Sequence, residues 1–307
     1  MISYFDAHCD TISYCLGAGD SLRRSRGHVD LERGRTFRRR GQFFALYHDA
    51  AKAPADGMWA QCLRLHDCFV RETEKNSDLV RHCRTGGQVD AAVAEGKVAA
   101  LLSIEGADLI ECDPERVETA ATWGVKLINL TWNRHNTLSG TNREQPERGL
   151  SERGRDFVHA LERCGIYADV SHLSDAGFWD LAEMAQRPIV ASHSNARAVC
   201  GHSRNLTDDM FRVIRDMGGI VGLNFCPDFV DEEQPSLEML VRHVEHFLEL
   251  GGERTVCIGG DLDGCLPEAS GIRGEQDVPL LYQALQARGY DESLLEDIFW
   301  NNLRKIL

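Results

Sequence analysis

The stretch Val98–Ile104, VAALLSI, is apolar apart from Ser103, and a carboxylate, Glu105, follows it directly. A short apolar run of this kind suits a strand covered on both faces by helices, which is the environment of a parallel sheet. Side chains alternate along a strand, so Leu101, Ser103 and Glu105 face one side while Leu102 and Ile104 face the other. Comparable runs occur at Ile2–Ala7, Gln42–Tyr47, Leu127–Thr131, Ile166–Val170, Pro188–Ala191, Ile220–Asn224 and Thr255–Gly259.

Helical patterns fill the intervals: Trp59–Arg71, Leu79–Glu95, Pro114–Trp123, Ser151–Cys164, Ser174–Ala185, Thr207–Met217, Leu237–Leu250, Val278–Arg288 and a closing helix over Ser293–Leu307. Asp113 caps a helix with Pro114 in its first position, Ser151 caps another that stops at Gly165, and Thr207 opens a third. Eight strands alternating with helices over 307 residues predict an α/β chain folded as a single (β/α)8 TIM-like barrel spanning 1–307. A doubly wound open sheet is disfavoured because no Gly-x-Gly-x-x-Gly or phosphate-loop pattern follows a strand.

Composition narrows the function classes. A net charge of -14 disfavours nucleic acid and anionic membranes as partners. The arginine-rich stretch Arg23–Arg40 reads as a solvated helix and loop. Eleven cysteines without a Cys-x-x-Cys pair imply buried thiols, not a disulfide framework. With no secretory pattern at the N-terminus and no long apolar span, a cytoplasmic location is expected.

Active sites of such barrels sit at the C-terminal ends of the strands. The residues arriving there are His8 and Asp10, Glu105, His172, His193 and Asp261, all metal ligands or proton carriers. Two strands end on Ser-His, at Ser171-His172 and Ser192-His193. His8 and Asp10 flank Cys9 and can reach one ion. Asp261 precedes Asp263-Gly264, where glycine permits close backbone approach. His135 and His202 lie in loops after strands, within reach of a substrate. His28, His48, His66, His82, His159, His243 and His246 read mostly as surface residues. No Gly-x-Ser-x-Gly elbow supports serine hydrolase chemistry.

The ordered set Asp6-Ala-His-Cys-Asp10, Ser103-Ile-Glu-Gly106, Asp169-Val-Ser-His172, Ala191-Ser-His-Ser194, Arg204-Asn-Leu-Thr-Asp-Asp209 and Gly259-Gly-Asp-Leu-Asp-Gly264 resembles the membrane (renal) dipeptidase family of zinc peptidases. The likeness runs from the first strand to Asn301-Asn-Leu-Arg-Lys-Ile-Leu307. It implies a barrel of the metal-dependent hydrolase superfamily with two zinc ions. His8 and Asp10 would hold one, His172 and His193 the other, and Glu105 would bridge them. Asp261 would match the family's acid/base and Arg204 its carboxylate-gripping arginine. Lys97 and Lys126 lie at strand starts, the wrong end for a bridging lysine. Characterised members carry a substrate-contacting histidine directly after Leu-Thr, where this chain has Trp132; either His135 contacts substrate from a shifted loop position or the pocket differs, with Trp132 in that place.

The expectation is therefore hydrolysis of a dipeptide or small N-acyl amino acid by water activated between the zinc ions. Alternatives are another binuclear amidohydrolase acting on cyclic amides, lactams or D-amino-acid derivatives, or a non-catalytic ligand-binding barrel. Partners expected beyond substrate are limited to a second copy of the chain in a homodimer.

Overall fold

All eight expected strands form, with a ninth short one beside them. In the computed structural model, which describes residues 1–307, these are β1 Ser3–Cys9, β2 Arg39–Tyr47, β3 Val80–His82, β4 Val98–Glu105, β5 Val125–Asn129, β6 Tyr167–Asp169, β7 Val190–Ala191, β8 Ile220–Leu223 and β9 Val256–Ile258. They pair in parallel in the order β2-β1-β9-β8-β7-β6-β5-β4, and β2 pairs again with β4, from Gly41↔Ala99 to Tyr47↔Glu105. The sheet thus closes on itself as a (β/α)8 TIM barrel. β3 stays outside the ring, paired only with the start of β4.

Alternation sorts the strand residues into two layers. Phe5, Phe43, Leu101, Leu127, Val190, Ile220 and Cys257 meet inside the barrel, whereas Leu102 and Ile104 join the layer between strands and helices. Gly41 leaves room for the interior: a Cβ there would lie 2.5 Å from the Phe5 ring. Trp300 seals this core against Phe5, with ring centroids 5.1 Å apart.

Four expectations are corrected. The segment Leu79–Glu95 is not one helix. Val80–His82 pairs with β4, and the helix begins at Gly86 after Thr85, whose side chain accepts from the Gln88 N–H. The closing segment Ser293–Leu307 is broken by a π turn at Asp297–Asn301, which buries Ile298, Phe299 and Trp300 together. Arg40, in the stretch read as solvated, is buried. Its Nε lies 3.0 Å from Glu275 Oε2, because a charge drawn into the core must be paired. The neighbouring arginines are also occupied, Arg23 by Asp78, Arg26 by Asp20 and Arg33 by Asp30. All eleven cysteines are free, as expected.

The fourth correction is His243, read as a surface candidate but fully buried on the helix Leu237–Glu249. It shares the inward stripe of Leu240, Val244 and Phe247. Nδ1 accepts from the Ala196 N–H at 3.2 Å and Nε2 donates to the Val230 carbonyl at 2.9 Å. Burial lowers its pKa from 6.5 to about 4. The unfolded chain therefore takes up this proton first as pH falls. This contribution to stability is intact above about 6.5 and is lost between 6.5 and 4, at up to about 1.4 kcal/mol per pH unit. In urea unfolding at pH 7 and pH 5, His243→Gln is expected to lose less stability between the two conditions than the wild type. Equal losses would contradict the assignment.

Candidate metal centre

The ends of β1, β4, β6, β7 and β9 bring their polar residues to one rim. β1 achieves this through a register shift between Asp6 and Cys9, where three residues advance against two on β2. Such a bulge re-aims the residues that follow it. Cys9 joins Tyr4 in the outer layer, and His8 points in toward the residues that end the other strands. Glu105 arrives by plain alternation from Leu101 and Ser103. His172 and Asp261 sit in left-handed backbone, at φ 79° and 56°, a conformation rare outside glycine and concentrated at functional sites.

Two buried aspartates fix these ends. Asp6 Oδ1 accepts from the His8 and Gly260 N–H groups, each at 3.0 Å, tying β1 to β9. Asp169 Oδ1 does the same for Ser171 and Ser192, at 3.0 and 3.1 Å, tying β6 to β7. The sequence reading assigned neither role. A signal existed in the aspartate placed two or three residues before each of His8 and His172.

Within this frame His8, Asp10, Glu105, His172, His193 and Asp261 converge. Glu105 Oε1 lies 2.9 Å from His172 Nε2, 3.4 Å from His193 Nε2 and 3.8 Å from His8 Nε2. His8 Nε2 is 3.6 Å from Asp10 Oδ2 and 3.9 Å from Asp261 Oδ1. The two histidine Nε2 atoms are 3.1 Å apart. Their other ring nitrogens are engaged, His172 Nδ1 with Asn133 Oδ1 at 3.0 Å and His193 Nδ1 with Ser192 Oγ at 2.7 Å. Because Asn133 Oδ1 only accepts, His172 Nδ1 carries the proton and Nε2 is bare.

That bare nitrogen faces a carboxylate oxygen at 2.9 Å, so a proton on Glu105 or a cation must lie between the two lone pairs. His8 poses the same problem: it is buried and neither ring nitrogen has a hydrogen-bond partner. The site also concentrates carboxylate charge away from water. Burial, reinforced by Asp10 and Asp261, pushes Glu105 well above the ordinary carboxyl range. Burial and Asp10 raise Asp261 to about 6. Burial holds His172 and His193 well below 6.5, in the neutral form that ligates metal. For His8, burial pulls down, but Glu105, Asp10 and Asp261 outweigh it and raise the pKa to about 10. Desolvated carboxylates beside unpaired imidazoles fit divalent cations. The separations of 2.9–3.9 Å are within the roughly 4 Å spanned by two zinc–ligand bonds.

The centre floors a cavity of about 650 Å³. Trp132 forms part of its wall, between Tyr47 at 4.9 Å and His172 at 6.2 Å, centroid to centroid. His202 also lines it. His135 does not; it lies on the surface with Nδ1 3.0 Å from Glu144 Oε2. Arg204 is buried in the wall, its Nη1 3.4 Å from Ser194 Oγ and its Nε and Nη2 without partners. Asn224, which sequence reasoning passed over, donates to Asp261 Oδ2 at 3.1 Å.

Gly264 packs closely against two of these carboxylates. A Cβ there would lie 2.2 Å from Asp10 Oδ2 and 2.4 Å from Asp261 Oδ1. Gly264→Ala is expected to weaken cation binding roughly 10- to 100-fold, the range seen when groups supporting metal ligands are disturbed. Isothermal titration with zinc measures this, and wild-type affinity in the variant would contradict it.

Comparison with known proteins agrees in extent and fold. The sequence model of the membrane dipeptidase family, peptidase family M19, matches residues 1–307. An uncharacterised protein encoded in the pqqA 5' region of Klebsiella pneumoniae is 33% identical over 268 residues, covering 83% of this chain and 96% of that one. Dipeptidase verJ of Clonostachys rogersoniana is 29% identical over 291 residues, covering 91% and 75%. A metallo peptidase from Rhodobacter sphaeroides, solved with a phosphinate mimic of the dipeptide L-Ala-D-Ala, superposes with a TM-score of 0.90 at 29% identity, covering 99% and 98% of the two chains. With its whole length matched and its strand ends furnished in this way, the chain belongs to the membrane dipeptidase family, peptidase family M19.

Proposed function

We propose that this protein is a zinc-dependent dipeptidase holding two ions, one between His8 and Asp10 and one between His172 and His193, with Glu105 shared. The observation that carries the reading is the Arg204 guanidinium, whose Nε and Nη2 have no partner, in the same cavity wall as a cluster of metal-ligand residues that includes His8 with both ring nitrogens unpartnered. A free dipeptide offers both a scissile amide for the cluster and a terminal carboxylate for the arginine. The dipeptide mimic held by the Rhodobacter relative supports this pairing. When bound, the cations supply Lewis-acid polarisation of the scissile carbonyl and lower the pKa of water toward about 7.

The chain's own residues do the remaining work. Arg204 orients the substrate through Nε and Nη2, which have no other acceptor. Asp261 is held by Asn224 at Oδ2, leaving Oδ1 free to accept the proton of the attacking water and pass it to the departing amine nitrogen. Trp132 and Tyr47 wall one side of the cavity and restrict water there.

Asp261→Asn removes the proton carrier while keeping the side chain's shape. It is expected to lower kcat on Ala-Ala by about 10²- to 10⁴-fold with zinc content maintained. Wild-type turnover in this variant would rule out the proton-transfer role. Arg204→Met is expected to raise KM for dipeptides far more than for a substrate whose terminal carboxylate is amidated. Equal effects on the two substrates would remove Arg204 from carboxylate binding.

A further inference from the structure

Two arginines line the cavity, Arg204 and Arg143, and the first is accounted for by the substrate's terminal carboxylate. Arg143 has no assigned task. It lies in the loop between β5 and β6, and that loop is pinned on both sides of the cavity. The Asn142 N–H donates to the His172 carbonyl at 3.1 Å, and Asn142 Nδ2 donates to Ser203 Oγ at 3.3 Å. Arg143 therefore projects from a fixed point between the His172 loop and the loop bearing Arg204. Its own N–H is held by Thr141 Oγ1 at 3.3 Å. Asn142 Oδ1, beside it in the wall, is buried and has no partner.

The guanidinium of Arg143 forms no ion pair, although the chain carries a net charge of -14. Arg197, on the adjoining loop, is held by both oxygens of Asp175 at 2.6 and 2.8 Å. Asp10, Glu105 and Asp261 belong to the metal centre, and away from it the carboxylate and guanidinium side chains of the lining are Asp228, Asp263 and the two arginines. With Arg204 taken by the terminal carboxylate, Arg143 is the guanidinium left for a second negative group on the substrate.

We propose that Arg143 is a specificity residue, and that the preferred substrates are dipeptides whose C-terminal residue bears a side-chain carboxylate, glutamate or aspartate. The proposal rests on the dipeptidase reading and adds to it the substrate class. Arg204, buried beside the metal ligands, takes the terminal carboxylate. Arg143, at the exposed rim, takes the side-chain carboxylate, and a rim ion pair of this kind gives a preference of roughly two- to fivefold.

The test compares kcat/KM for Ala-Glu and its neutral isostere Ala-Gln in wild type, Arg143→Gln and Arg143→Glu, each with L and D configuration at the second residue. The wild type is expected to favour Ala-Glu roughly two- to fivefold, mainly through KM, with the preference shrinking as salt is raised. The ratio should approach one in Arg143→Gln and fall below one in Arg143→Glu. A wild-type ratio of one, or the same ratio in all three proteins, overturns the assignment. Absence of turnover on every dipeptide, Ala-Ala included, would sink the dipeptidase reading and this inference with it.

Discussion

Everything at the mouth of this barrel depends on finding partners for the carboxylates and imidazoles that the fold takes out of water. A bare imidazole nitrogen stands 2.9 Å from a carboxylate oxygen, and a second imidazole is buried with both nitrogens unengaged. Removing such groups from water is costly unless each finds a partner. The chain accepts that cost at Glu105, His172, His193 and His8 simultaneously, and divalent ions are the partners whose chemistry suits all four.

The barrel supplies the rigidity that holds this arrangement in place. Its interior is filled by Phe5, Phe43 and Leu101 and plugged by Trp300, so the strand ends cannot collapse inward. Asp6 and Asp169 then bind β1 to β9 and β6 to β7 through main-chain N–H groups, with no demand on the side chains that face the cavity. The left-handed backbone at His172 and Asp261 lies one residue beyond the clamped N–H groups of Ser171 and Gly260. A rigid base carrying strained tips is well suited to fixing ligands at a set spacing.

Much of this was legible in the sequence because a strand's period is short and strict. Alternation from Leu101 to Glu105 put the carboxylate on the inner face without reference to any other part of the chain. The bulge in β1 was not legible, since it depends on how β1 registers against β2. The spacing of His243 from Leu240, Val244 and Phe247 places it on the buried stripe of its helix, a signal that its polar residue type masks. The split of Leu79–Glu95 was signalled by Thr85 before a Gly-Gly pair, but pairing of three residues with β4 is a tertiary fact. Asn133, Ser192 and Asn224 support the centre through contacts between loops far apart in the chain, which local pattern does not encode.

The central claim is that Glu105 lies between two cations. Anomalous diffraction at the zinc absorption edge, from crystals grown with zinc, tests it directly. The account predicts two peaks flanking the Glu105 carboxylate, one beside His8 and Asp10 and the other beside His172 and His193. A single peak remote from Glu105, or no peak at this rim under saturating zinc, would contradict it.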